Sequence, residues 1–173
     1  MSTLVVAPPH YRLAYSGSAV SDEAQAGRMA TSAVEEEEER SFALFGRKAE
    51  AISQIWALVS ECDETGWDGG SAEPISEIAA HAASDFIRAL PGDVPLPEAA
   101  PEPDGSISLD WIQSRSRLFS LSVGSGSRLA YAWLDGADRG HAVARFDGDA
   151  VPLRILDGIR RIVNRGNAAV RPL

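Results

Sequence analysis

The residues that could carry acid–base chemistry are three histidines far apart in the sequence, His10, His81 and His141. His141 has the best surroundings for a general base, because a carboxylate such as Asp135 or Asp138 would hold its imidazole in one tautomer. The three histidines belong to different predicted elements, so a joint site depends on the fold. A surface histidine on a strand is the alternative interpretation, and a small hydrolase-like enzyme using His141 is a second hypothesis.

The single cysteine, Cys62, stands beside Asp63 and Glu64 at the predicted end of a helix. Negative charge there raises a thiol pKa and disfavours the reactive thiolate, so we interpret Cys62 as a structural residue. One cysteine excludes an internal disulfide framework, and no Cys/His grouping offers four zinc ligands. We therefore expect no metal, no cofactor and no catalytic residues, and the cysteine content favours a reducing, cytoplasmic compartment.

Two further segments have a simple interpretation. Gly124-Ser125-Gly126-Ser127 has the composition of a phosphate loop but lacks the lysine and the helix that should follow, which favours a hairpin turn. The apolar patch Leu4 to Ala7 has no basic flank and is cut short by Pro8-Pro9, so neither a signal peptide nor a membrane helix fits.

Charge is distributed unevenly along the 173 residues. Residues 1–110 carry 20 acidic and 6 basic side chains, whereas residues 111–173 carry 5 acidic and 10 basic ones, and the whole chain has a net charge of −9. Such a balance argues against nucleic-acid binding by the whole chain, because contacts to phosphates supply most of the non-specific affinity.

The most acidic stretch is a run of five glutamates that opens the first predicted helix. Its members are Glu35, Glu36, Glu37, Glu38 and Glu39. The positive end of the helix dipole favours them, although like charges one turn apart repel. A solvated acidic face is one interpretation, and a contact for an Arg- or Lys-rich partner is the other.

A basic counterpart lies on the C-terminal predicted helix, which begins at Val151-Pro152. Arg154, Arg161 and Arg165 share the side opposite to its apolar stripe of Leu153, Leu156, Ile159 and Val163. Such a helix can contact nucleic acid, acidic lipid or an acidic protein, or simply solvate its arginines. Nucleic-acid binding through this helix is therefore a third hypothesis.

Two helices precede the sheet, after an N-terminal arm of residues 1–33 that we expect to be mobile. The first runs from about Val34 to Cys62, and the second from about Glu77 to Leu90 with Ser76 as its cap. The inward stripe of the first is Phe45, Ala49, Ile52, Trp56 and Val59, and that of the second is Ile78, Ala82, Phe86 and Leu90. In the arm, alternation in Tyr11 to Tyr15 allows an edge strand.

Strict polar/apolar alternation predicts a four-stranded antiparallel meander. The strands are residues 106–111, Arg117 to Val123, Arg128 to Leu134 and His141 to Phe146, joined by connections too short for crossover helices. The predicted core face holds Ile107, Leu109, Trp111, Phe119, Leu121, Leu129, Tyr131 and Trp133. The fold class is α+β: two N-terminal helices, this sheet and a C-terminal helix in a single domain of residues 34–173.

Two motifs resemble those of an uncharacterised family of small bacterial proteins. Residues 67–74 read W-D-G-x-x-A-x-P, and residues 101–111 read P-x-P-D-G-x-I-x-L-x-W. The resemblance covers roughly residues 66–146 and implies a fold unit, with no catalytic residues to carry over. It is associated with mobile elements and host conflict, which favours a protein that binds or neutralises another.

Together these observations predict a non-catalytic acidic protein that binds and modulates another macromolecule, of the immunity, antitoxin or inhibitor type. The expected partner is a protein with basic groups, and no membrane contact is expected.

Overall fold

The computed structural model of the protein describes residues 22–164. It contains three helices and five strands. They are α1 (Asp22–Glu61), α2 (Glu77–Ala89), β1 (Glu98–Pro101), β2 (Ile107–Ser114), β3 (Arg117–Val123), β4 (Arg128–Asp135), β5 (Asp138–Arg145) and α3 (Leu153–Asn164). The chain divides into two compact units, Met1–Ser41, whose described part is the first half of α1, and Phe42–Leu173, which holds all the other elements.

The sheet confirms the predicted α+β class and its antiparallel order, but it has five strands, not four. The strands follow one another as β1-β2-β3-β4-β5, every neighbouring pair antiparallel. The additional strand, β1, lies within Pro91 to Gly105, a segment whose five prolines predict an extended connector without regular pairing. Proline lacks a backbone donor and is tolerated at a sheet edge, so Pro101 can end an edge strand that a proline-rich sequence conceals.

One face of the sheet forms the core, as the alternation predicts. Of the eight predicted core residues, seven are buried and Trp133 is half-buried against them. Helices α2 and α3 pack on this face and add Phe86, Ile87, Ile155 and Ile159 to the core. The core is therefore one layer of side chains between the sheet and the helices.

Most of each predicted helical stripe is confirmed, and single positions in each helix are wrong. The predicted residues that are buried or pack on the core are Ile52, Trp56, Val59, Ala82, Phe86, Leu90, Leu156, Ile159 and Val163. In α1, which begins at Asp22 and not at Val34, Phe42 and Phe45 are 79% and 74% exposed, whereas Ile55 is fully buried. In α2 and α3 the predicted Ile78 and Leu153 are 63% and 74% exposed. Each helix offers several apolar residues about 100° apart, and contact with the sheet selects the stripe, which periodicity alone cannot do.

The predicted termini of the chain fall largely outside the described residues. The arm of residues 1–33 lies outside them up to residue 21, including the possible strand at Tyr11 to Tyr15, and residues 22–33 belong to α1. At α2, Ser76 occupies the N-cap position as predicted, but its side chain makes no capping hydrogen bond.

The corner between α1 and α2 is fixed to the turn before β2 by backbone hydrogen bonds. The N–H of Glu73 donates to the carbonyl of Pro103 at 2.8 Å, and the N–H of Ser76 donates to the carbonyl of Gly105 at 3.0 Å. Gly105 has a φ of +79°, and a Cβ added there would lie 2.7 Å from the carbonyl oxygen of Pro74. The two sequence motifs therefore meet in space, and only glycine fits where they touch.

Trp67 lies in the same corner, half-buried against the core. Its indole Nε1 donates to the carbonyl of Glu73 at 2.9 Å, and Asp68 Oδ1 accepts from the N–H of Gly70 at 2.8 Å. The loop is thus held by side-chain bonds to its own backbone.

Replacing Gly105 tests the corner contact. We expect Gly105→Ala to lose more than about 2 kcal/mol of stability in urea unfolding, since alanine resists a positive φ and its Cβ would meet the Pro74 oxygen. Gly126→Ala is the matched control, because a Cβ at Gly126 has its nearest neighbour at 4.0 Å. Equal stability of the two variants would contradict the account.

Replacing Trp67 tests its structural role. We expect Trp67→Ala to lose about 3 kcal/mol, mostly through lost apolar contact. Trp67→Phe keeps a ring but loses the hydrogen bond to Glu73, so it should lose about 1 kcal/mol. Chemical denaturation measures both losses of stability. A Trp67→Ala variant that unfolds like wild type would show that the indole does not hold this loop.

Candidate functional site

Among the described residues, the histidine site expected from the sequence is not formed. His141 is exposed on β5, and its predicted partners are engaged by arginines: Asp135 lies 3.4 Å from Arg117, and Asp138 lies 3.2 Å from Arg161. His81 lies on α2, edge-on to Trp56 with ring centroids 4.8 Å apart. His10 lies outside the described residues. Within the described part of the chain, no carboxylate holds the His141 imidazole.

Cys62 is buried, and the pKa of its thiol is raised. Burial is the largest cause, followed by the charges of Glu61 and Asp63. The predicted direction is confirmed, although desolvation outweighs the acidic neighbours on which the prediction relied. Gly124 to Ser127 connects β3 to β4, as a hairpin turn should.

The five-glutamate run lies within α1 but does not open it, because the helix begins at Asp22. The positive end of the helix dipole therefore does not favour the run as predicted. The side chains of Glu37 and Glu39 are exposed, and Glu37 lies 3.8 Å from Arg40 one turn later. The side chains of Glu35, Glu36 and Glu38 lie outside the described residues. An exposed ion pair of this kind contributes little stability, so Glu37 and Glu39 form a solvated acidic surface of the first unit.

The sequence predicts that the arginines of α3 lie opposite its apolar stripe, but two of them border the sheet. Arg154 and Arg161 line a groove between α3 and the sheet, together with Asp157 and Gly158 of the helix. We call this the α3 groove; its sheet side consists of Phe119, Tyr131 and Trp133. Arg161 also lies over the Trp133 ring at 5.9 Å. Arg165 lies outside the described residues.

A cluster of carboxylates that the sequence pattern does not predict lies on the face of the sheet that α2 and α3 leave open. It consists of Glu98, Glu102, Asp104 and Asp110, and we call it the acidic patch. Glu98 and Asp110 are direct partners across β1 and β2, so their side chains share a face. The members of the patch belong to a predicted connector and to one predicted strand. Only the register of β1 brings the connector and the strand together, so the sequence pattern does not reveal the patch.

A serine network holds the two turn carboxylates of the acidic patch. The Ser106 hydroxyl lies within hydrogen-bond distance of Glu102 and, at 2.5 Å, of Asp104 Oδ1, and its single proton serves one of them at a time. Ser122 donates to Glu102 Oε2 at 2.5 Å. None of the four patch carboxylates forms an ion pair with a basic side chain in the part of the chain that the structure describes.

The open face also has a shallow depression of about 280 Å³ beside the patch. Small side chains of β3 and β4 form its floor, and Glu102 and His141 stand on opposite sides of it. Beyond it, β5 places Arg139 and Arg145 at the far edge of the sheet. The open face is therefore acidic along β1 and β2 and basic along β5.

Among residues 22–164, no group of three or more His, Cys, Asp or Glu side chains is arranged to hold a metal ion, and no helix has the length and apolarity needed to cross a membrane. Comparison of the chain with family models, with curated proteins and with solved structures gave no match. The resemblance suggested by the two motifs stays a prediction.

The Ser106 network makes a prediction about acid titration. Hydrogen bonds from the Ser106 hydroxyl and then from its backbone N–H lower the pKa of Asp104. A lowered pKa means that the bonds stabilise the protein above the carboxyl's ordinary pKa, and that this contribution is lost as the pH falls through the lowered value.

We expect Ser106→Ala to raise the pKa of Asp104 toward its ordinary value in a carboxyl-carbon NMR titration. Ser108→Ala is the control, because the Ser108 hydroxyl donates to Asp110 at 2.8 Å and not to Asp104. An unchanged Asp104 titration in Ser106→Ala would contradict the assigned cause.

Proposed function

We propose that the protein is a non-catalytic binding protein that recognises a basic segment of another protein through the acidic patch. The observation that carries the proposal is that Glu98, Glu102, Asp104 and Asp110 share one open face without a cationic partner in the described chain. Unpaired carboxylates on one surface produce a negative potential that attracts cationic groups.

The register of β1 supports this proposal. Glu98 stands directly opposite Asp110, and like charges at such a position destabilise a strand pair. Glu102 and Asp104 likewise share one hydroxyl donor at Ser106. Both repulsions are relieved when a cationic group binds between the carboxylates, so the arrangement favours the bound state.

The shape of the open face suits an extended segment. Ser120, Ser122, Ala130 and Ala132 are small, and they let a partner backbone approach the sheet closely. Arg139 and Arg145 at the β5 edge repel basic side chains, so a basic segment should lie along β1 and β2. The charge gradient thus fixes where the segment lies.

Modulation of the partner follows from occupying its basic segment, as an inhibitor or antitoxin would do.

Neither acid–base catalysis at His141 nor nucleic-acid binding by α3 gains support from the geometry, because the expected carboxylate partners of His141 bind arginines and Arg161 is paired with Asp138.

A short fluorescein-labelled peptide of alternating Arg and Ser is a suitable probe, because alternate residues of an extended chain face the same side. We expect it to bind in fluorescence anisotropy at low salt and to be released as salt rises. Changing Glu98 and Glu102 to Gln and Asp104 and Asp110 to Asn should weaken binding at least about tenfold.

The control changes Glu50, Glu61 and Glu64 to Gln and Asp149 to Asn, which removes the same charge from exposed positions elsewhere. It should weaken binding by no more than about twofold. If both variants weaken binding equally, net charge and not the acidic patch attracts the peptide. If wild type does not bind the peptide at low salt, the proposal is wrong.

A further inference from the structure

The α3 groove contains a positive and a negative charge that do not neutralise each other. Arg154 and Asp157 both line it, and neither forms a hydrogen bond or an ion pair with any other described residue. The other arginine of the groove differs, because Arg161 lies 3.2 Å from Asp138. The groove therefore presents one available guanidinium and one available carboxylate.

The order of the two residues explains why they stay apart. Asp85 and Arg88 have the same three-residue spacing on α2 and pair at 2.7 Å. In that pair the acid precedes the base, which is the favourable order on a helix, whereas Arg154 precedes Asp157. The reversed order leaves both side chains of α3 free to bind another molecule.

Tyr131 supplies a third unused polar group. Only 8% of its surface is exposed, and it lines the groove, but its hydroxyl has no hydrogen-bond partner among the described residues. The residue as a whole is buried, but its hydroxyl is not among the buried side-chain atoms that lack a partner, so the hydroxyl is still accessible. Its position beside the groove indicates that a ligand atom can serve as that partner.

The walls of the groove are fixed by packing. A Cβ added at Gly158 would lie 2.5 Å from the Phe119 ring, so glycine lets α3 approach the sheet there. Tyr131 stacks on Phe119 with centroids 5.5 Å apart and an interplanar angle of 21°. Arg161 is held between Asp138 and the Trp133 ring. A ligand thus meets a surface that is already ordered.

We infer that the α3 groove binds a small zwitterion with an apolar side chain, an α-amino acid of the size of leucine or phenylalanine. Its carboxylate binds the guanidinium of Arg154 and accepts from the Tyr131 hydroxyl. Its ammonium group binds the carboxylate of Asp157, and its side chain packs on Trp133. The groove volume of about 340 Å³ is at the lower end of the range of small-molecule sites.

The charge balance favours a zwitterion over an anion such as a nucleotide. The two arginines of the groove are matched by Asp157 within it and by Asp138 at its side. A phosphate placed at Arg154 would bring a second negative group near Asp157. An amino acid satisfies both free charges at once. This site is independent of the acidic patch on the opposite face of the sheet.

The test is NMR titration of the full-length protein with L-phenylalanine, followed at the Trp133 indole N–H and the α3 amides. N-acetyl-L-phenylalanine removes the cation, L-phenylalaninamide removes the anion, and adenosine 5′-monophosphate tests the nucleotide. We expect L-phenylalanine to bind at least about tenfold more tightly than each of the other three.

Two variants test which charged group of the ligand each residue binds. Arg154→Gln should weaken L-phenylalanine about tenfold and leave the affinity for the amide unchanged, whereas Asp157→Asn should weaken L-phenylalanine and leave the N-acetyl derivative unchanged. Arg160→Gln is the control, because Arg160 lies on the same helix but binds Asp93 at 2.8 Å. Melting temperatures show whether each variant is folded.

Three outcomes would overturn the inference. They are no shift with L-phenylalanine at millimolar concentration, tighter binding of the nucleotide than of the amino acid, and equal losses in Arg160→Gln and Arg154→Gln.

Discussion

The fold depends on the contact between the α1–α2 corner and the turn that opens the sheet. Backbone groups of Glu73 and Ser76 bond to Pro103 and Gly105 across about thirty residues of chain. Such bonds bury polar backbone that would otherwise lack a partner, so they are costly to lose. Because Gly105 approaches the Pro74 carbonyl too closely for a side chain, the contact also fixes the identity of the residue there.

This contact has a consequence for the open face. The turn that it fixes also carries Glu102 and Asp104, and both carboxylates lie within hydrogen-bond distance of the Ser106 hydroxyl. Register supplies the other half of the acidic patch, since antiparallel pairing places Glu98 opposite Asp110. The patch is thus a product of the fold rather than of a local run of acidic residues.

Much of the sheet could be predicted from the sequence because alternation is a local signal. The bounds of β3 coincide with the prediction, and the predicted core residues are those that face α2 and α3. Strand β1 could not be found in this way, since prolines flank its two alanines and its pairing with β2 is decided by distance in space. The helical stripes are wrong only at single positions, for a related reason. Ile78 and Ile87 of α2 are equally apolar, but Ile87 is buried and Ile78 is exposed, because contact with the sheet decides which of them is covered.

The candidate sites were still harder to predict, because each combines residues that are ordinary on their own. The helical pattern predicts Arg154 as a binding residue. It does not show that Asp157, one turn away, and Tyr131, on another element, line the same groove. Periodicity placed Arg154 and Arg161 together without showing that Asp138 neutralises only one of them.

The two candidate surfaces lie on opposite faces of the same sheet. Successive residues of β3 and β4 alternate between them: Phe119 and Tyr131 face the α3 groove, while Ser120 and Ala132 form the floor of the open face. Since a shift of one residue in either strand would exchange the two sets, the register that buries the aromatic rings also places small side chains on the floor of the open face. Core packing therefore determines both surfaces. Substitutions that change charge but preserve shape can test the role proposed for each surface without changing the stability of the fold.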